Sequence, residues 1–210
     1  MSVDLTTSLG SLELSAPTLT ASGCAAAGRE LAQFGDVSSL GAVVTKSIMM
    51  EPRSGRATPR MAETPSGMLN SIGLQGPGIE AFLEKDLSWL TQNNVTTIVS
   101  IAGNNVDEFG DLARILARVP GIAGLEVNIS CPNVESRGQV FACNPVSAAQ
   151  VIKTVRSVWH SDVPIFAKLS PDVTDIVEIA HSVVEAGVAG VSMINTLLGM
   201  VIDVDKMKPM

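Results

Sequence analysis

Apolar residues in this chain fall into short β-branched runs, separated by longer stretches with three- and four-residue spacing. The runs are 17–22, 41–47, 97–103, 124–130, 164–170 and 190–196. Short and nearly continuous, they have the pattern of strands buried on both faces of a parallel sheet. Residues 107–118, 145–159 and 174–186 show helical spacing, and the turn-forming Gly76-Pro77-Gly78 opens a further helix over 79–90. Ahead of them, 3–14 alternates around Gly10-Ser11 and predicts a short hairpin. Strand–helix alternation predicts an α/β fold, a parallel sheet with helices outside it. Six strands suit a doubly wound sheet or a (β/α)8 TIM barrel, and a complete barrel takes about 250 residues. The expectation for 210 residues is one domain over 1–210: an N-terminal hairpin and roughly the first six βα units of a barrel, with the C-terminal part missing.

The strand runs share a second pattern, since each ends in small or polar groups. These are Ala21-Ser22-Gly23, Thr45-Lys46-Ser47, Ser100, Asn128 to Asn133, Lys168 with Ser170, and Asn195-Thr196. Any one of them is ordinary turn chemistry. Repetition across separate strands places polar groups on one rim, where parallel α/β folds bind ligands. The richest set is Asn128-Ile129-Ser130-Cys131-Pro132-Asn133, in which proline ends the strand for want of a ladder N–H. Cys131 is the candidate reactive group there, because a thiolate can accept a proton when its surroundings assist. Lys46 and Lys168 sit in otherwise apolar runs and need an anionic or electron-rich partner, such as a reduced flavin or a carboxylate. Residues 51–78 form a long polar segment, and loops of that length are usually functional. Within it, glycines permit close backbone approach and Asn70 offers both donor and acceptor.

Composition removes several function classes. A net charge of −7 and pI near 4.8 argue against nucleic acid, whose phosphates call for a basic face. No apolar run nears the ~20 residues that span a bilayer, and the N-terminus lacks the basic and apolar regions of a signal peptide. Three cysteines (Cys24, Cys131, Cys143) without metal-ligand spacing point to a reducing cytoplasm, and with only two histidines the composition argues against a structural zinc site.

Taken in order, the motifs resemble class 1 dihydroorotate dehydrogenases, FMN-dependent barrels of pyrimidine biosynthesis. They are Ala21-Ser22-Gly23, Thr45-Lys46-Ser47, Pro59-Arg60, Asn70-Ser71-Ile72-Gly73-Leu74, Asn128 to Asn133, Lys168-Leu169-Ser170-Pro171 and Ile194-Asn195-Thr196. Ser22-Gly23-Cys24, Ala62-Glu63-Thr64-Pro65 and Met193-Ile194-Asn195-Thr196-Leu197 are similar to the class 1B branch. That branch passes electrons to NAD+ through a partner iron–sulfur flavoprotein carrying FAD and a [2Fe–2S] cluster. The resemblance implies that Cys131 removes the C5 proton of dihydroorotate while hydride leaves C6 for FMN, giving orotate. It implies flavin contacts from Ser22, Lys46, Ser47, Ser100, Asn128, Lys168 and Ile194. Substrate contacts are implied for Lys46, Asn70, Ser71, Ile72, Gly73, Leu74, Asn128, Asn133, Asn195 and Thr196. A homodimer core within a heterotetramer is implied as well.

The chain departs from the family at Ser100, where Asn is usual, and at Gly76. The family's glycine-rich phosphate loops do not occur in it, so the expectation is that the 210-residue piece alone lacks activity. Alternatives are another FMN-dependent pyrimidine oxidoreductase barrel, such as a dihydropyrimidine or dihydrouridine reductase, and the fumarate-linked class 1A enzyme. Of another class, a cysteine hydrolase would want a histidine beside Cys131, whereas His160 and His181 lie in or next to helical segments. A non-catalytic binding barrel gains nothing from the acidic composition or from Cys131.

Overall fold

A computed structural model describes residues 3–130, 132–133, 139–160 and 162–209, with the backbone alone at 132–133 and 139–140. The chain opens with an antiparallel hairpin, β1 (Thr7–Leu9) and β2 (Leu12–Leu14). Strand β3 (Val43–Val44) follows, then an excursion carrying β4 (Met61–Thr64) and β5 (Gly67–Asn70). Helix α1 runs over 79–92, with a π-helical middle at Phe82–Leu87. Next come β6 (Thr97–Ile101), α2 (Val106–Leu116) and β7 (Gly124–Asn128). Two-residue strands β8 (Pro132–Asn133) and β9 (Gln139–Val140) pair antiparallel before α3 (Pro145–Arg156). Strand β10 (Ile165–Lys168), α4 (Ile176–Glu185) and β11 (Gly190–Ser192) complete the alternation, and β12 (Ile202–Asp203) pairs with β13 (Lys208–Pro209).

Five strands form one parallel sheet in the order β11-β10-β7-β6-β3. Every residue of β6 and β7 is buried, as parallel strands covered on both faces require. On the outer face Val99, Leu125, Val127 and Ala167 pack against Phe109 and Leu112 of α2, Val151 and Ile152 of α3, and Val183 of α4. Helices α2, α3 and α4 start where side chains cap them: Asn105 accepts from Glu108 N, Asn144 from Ser147 N ahead of Pro145, and Asp175 from Val177 N and Glu178 N.

The inner face is apolar at one end and polar at the other. Ala42, Val44, Ile98 and Phe166 pack there with Leu14 of the N-terminal hairpin. The hairpin is tied to the amino ends of the strands, with Ser11 Oγ donating to Asp162 O at 3.1 Å ahead of β10. The hairpin therefore closes the amino-terminal end of the curved sheet, leaving the carboxyl-terminal end as the rim where a site can form.

Two expectations are corrected. The run 17–22 is not a full strand: Leu19 makes a single bridge to Ala42. Pro17 brings no N–H to a ladder, and the Thr20 side chain takes over the backbone's role. Its Oγ1 accepts from Val44 N at 2.9 Å and donates to Val44 O at 3.2 Å. Thr20→Val should therefore cost about 1–3 kcal/mol by stranding the Val44 N–H, read as a lower midpoint in urea. Residues 51–78 are not an open loop but an arm folded on itself. Arg53 pairs with Gly76, Arg56 N donates to Ile72 O at 3.0 Å, Ser71 N donates to Arg60 O at 2.9 Å, and β4–β5 forms the tip. The crossing is tight at Gly55 and Gly73, both at positive φ. A Cβ on Gly55 would run into the Ile72 carbonyl, and one on Gly73 into Arg56 N.

Candidate active site

The polar strand ends anticipated from the sequence converge on the carboxyl rim. Ser47, just past β3, is the hub. Its Oγ lies 3.2 Å from Ser22 Oγ, 3.0 Å from Ser100 Oγ of β6, and accepts from Asn128 Nδ2 of β7 at 3.0 Å. Asn128 Oδ1 in turn accepts from Asn195 Nδ2 at 3.2 Å and from Ser130 N at 3.2 Å. One hydrogen-bonded system thus joins residues from positions as distant in sequence as 22 and 195. Ser47, Ser100 and Asn128 are buried, while Ser22 and Asn195 are half-buried at its outer ends.

Lys168 ends β10 in register with Asn128 and with Ser192 of β11, and it shares a strand face with the inward Phe166. Lys46 is half-buried beside Ser47, its backbone N donating to Ala26 O at 2.8 Å. Asn195 is anchored by its own N–H to Leu169 O at 2.9 Å, and its Oδ1 accepts from Thr196 N at 2.7 Å. Ile194 follows a cis peptide bond from Met193 and is partly exposed.

Asn70, Ser71, Ile72, Gly73 and Leu74 lie on the arm. Leu74 packs against Met49 and Ala102, just beyond the ends of β3 and β6, which roots that segment on the same rim. Asn70 is exposed, and its Oδ1 accepts from Ile72 N at 3.5 Å. Cys131 and the side chain of Asn133 lie outside the described residues. Their surroundings are described: Ser130 Oγ donates to Lys168 O at 3.3 Å, and Ala142 N donates to Ile129 O at 3.0 Å where the chain returns.

The sequence reading missed Glu126. It sits inside the buried strand β7, 3% exposed, and accepts from Ser100 Oγ at 2.9 Å. A lone acid in an otherwise apolar run was the available signal, because such a group is buried only with a partner. Thr45, part of the Thr45-Lys46-Ser47 strand end, is drawn into the same system, its Oγ1 accepting from Ser100 N at 3.1 Å.

Of the other thiols, Cys143 donates to Asp172 O at 3.4 Å. Burial, and to a lesser degree the Asp172 carboxylate, push that thiol up from its ordinary value of 9.0, so thiolate forms only at higher pH. Iodoacetamide at pH 7 should leave Cys143 largely unmodified, with labelling rising as the pH is raised, as followed by mass spectrometry. Among the described residues there is no cluster of three or more His, Cys, Asp or Glu able to hold a metal, and no helix long and apolar enough to cross a membrane.

A curled parallel sheet, closed at its amino end and polar at its carboxyl end, is the arrangement of a barrel enzyme. In fold the chain is similar to a dihydroorotate dehydrogenase from Eimeria tenella solved in complex with ferulenol, with a TM-score of 0.76 and 18% identity, over 93% of this chain and 60% of that one. The sequence profile of the dihydroorotate dehydrogenase family matches residues 4–210. The chain belongs to that family. It is 49% identical over 205 residues to the dihydroorotate dehydrogenase B (NAD(+)) catalytic subunit of Geobacillus sp. (strain WCH70), covering 98% of this chain and 65% of the relative. With the subunit of the same name from Geotalea uraniireducens (strain Rf4) it shares 45% identity over 206 residues, 98% of this chain and 67% of that one. The chain thus spans about two thirds of the length of these relatives.

Proposed function

We propose that the protein carrying this chain oxidises dihydroorotate to orotate in pyrimidine biosynthesis, and that it works in the cytoplasm. The observation that carries the reading is the convergence of Ser22, Ser47, Asn128, Lys168 and Asn195 on one rim, in a chain whose relatives are catalytic subunits of that enzyme. Flavin mononucleotide fits the donor set. Two half-buried lysines, Lys46 and Lys168, supply positive charge at the ends of β3 and β10, suited to an electron-rich ring, and Ser22, Asn128 and Ile194 line the same rim.

When bound, the flavin supplies the acceptor for the hydride that leaves C6. Cys131 takes the proton from C5. Asn128, Asn133, Asn195 and Thr196 hold the pyrimidine with Lys46. Residues 70–74, carried by the arm, close over it from the side of β3 and β6. A partner flavoprotein with FAD and a [2Fe–2S] cluster takes the electrons to NAD+, and two copies of the chain form the core of the assembly. The test is steady-state orotate formation with NAD+ or fumarate as acceptor. NAD+-dependent turnover that needs a second subunit supports the reading, and turnover with fumarate alone would replace it with the class 1A reaction.

A further inference from the structure

We infer that Glu126, Ser100 and Ser47 are positioning residues: an internal relay that sets which way the hydrogen bonds of the rim point, without touching the ligand themselves. The inference rests on the proposed use of this rim, but its physical content lies within the chain.

A serine hydroxyl has one proton to give and two lone pairs to receive. Ser100 Oγ donates its proton to Glu126 Oε1 at 2.9 Å, beneath the rim. In the 3.0 Å contact with Ser47, Ser100 can then only accept, so Ser47 is the donor. With the Ser47 proton committed, its two lone pairs receive Asn128 Nδ2 at 3.0 Å and, in the 3.2 Å contact, the proton of Ser22. Ser47 is thereby saturated, with one bond given and two received. Ser47 has no lone pair left for a ligand, and Ser100, 0% exposed, gives a ligand no access.

The consequences appear at the two ends. Ser22, half-buried at the outer end, has its only proton turned inward and presents lone pairs outward. Asn128 holds its NH2 toward Ser47, which aims its Oδ1 at Asn195 Nδ2, at 3.2 Å. Asn195 Oδ1 then accepts from Thr196 N at 2.7 Å and from Thr196 Oγ1 at 3.3 Å. Thr196 Oγ1, like Ser22 Oγ, faces outward as an acceptor. The rim therefore selects a ligand that donates N–H groups to Ser22 and Thr196 and receives charge from the lysines, which is the chemistry of imide-containing rings such as pyrimidinediones and the flavin nucleus.

The test uses the ligand-free chain with 15N labelling, and variants S100A, S100T and E126Q. In the unaltered protein the side-chain amides of Asn128 and Asn195 should each give one set of signals. S100A frees the Ser47 proton, and E126Q allows either an oxygen or an NH2 to face Ser100. Both should split or broaden the two amide signals, while S100T, which keeps the hydroxyl, restores the single set. Amide signals in S100A and E126Q identical to those of the parent would overturn the relay, whether or not flavin binds. With FMN and orotate as probes in the protein carrying this chain, S100A should weaken binding roughly tenfold and S100T less than about threefold, as expected for one misdirected hydrogen bond. An equal loss in both variants would show a structural role only and defeat the inference. Absence of FMN binding by every form, with the amide signals behaving as described, would defeat the dihydroorotate reading and leave the relay standing.

Discussion

Cys131→Ala should lower dihydroorotate oxidation by about 10²–10⁴-fold, the usual contribution of a positioned general base, while FMN and orotate stay bound. The neighbourhood supports that separation. Ser130 is held to the Lys168 carbonyl, and Ala142 N–H closes the returning chain onto Ile129 O, so removing one thiol leaves the backbone of the rim anchored. Orotate binding and flavin content of the variant check the claim together with its rate of turnover. Loss of flavin with the thiol would mean that Cys131 shapes the binding site, and would count against its role as the base.

Phe141→Ala should have the largest effect on stability, a loss of about 3–5 kcal/mol for emptying a buried aromatic site. Phe141 is 1% exposed and meets the fully buried Phe109 of α2 edge to face, with ring centroids 5.7 Å apart. It also stands directly after β9, where the chain returns from the segment bearing Cys131. The ring thus fastens that return to the core between sheet and helices. Chemical denaturation should show a lower midpoint with an unchanged slope. Turnover at a temperature where the variant remains folded should fall more than orotate affinity. A stability loss below about 1 kcal/mol would contradict the anchoring role.

Much of this architecture was legible because the buried parallel strands announce themselves. Thr97–Ile101 and Gly124–Asn128 are nearly continuous apolar runs, and the amphipathic stretches between strands are the observed helices with their Asn and Asp caps. At 17–22 the structure falls short of the expected strand, because apolar character does not reveal that Pro17 cannot pair and that Thr20 bonds β3 through its side chain. The arm at 51–78 carries little strand-like side-chain pattern, because its pairing is backbone to backbone, through residues such as Arg53 and Gly76. At the site, the polar strand ends identified Ser22, Ser47, Asn128 and Asn195, but residue types alone do not say which hydroxyl spends its proton on which neighbour. Glu126, visible as a charge in an apolar strand, gains its meaning from the 2.9 Å contact with Ser100.

A single turnover without oxygen decides whether this rim removes a C5 proton from dihydroorotate while its C6 hydride goes to the flavin. Oxidised, flavin-loaded protein carrying this chain is mixed with dihydroorotate, and flavin absorbance and orotate are followed together. The flavin should bleach with one orotate formed per flavin reduced, both slowed by the same factor in Cys131→Ala. Flavin that stays oxidised, or that is reduced equally fast with and without Cys131, would contradict this chemistry.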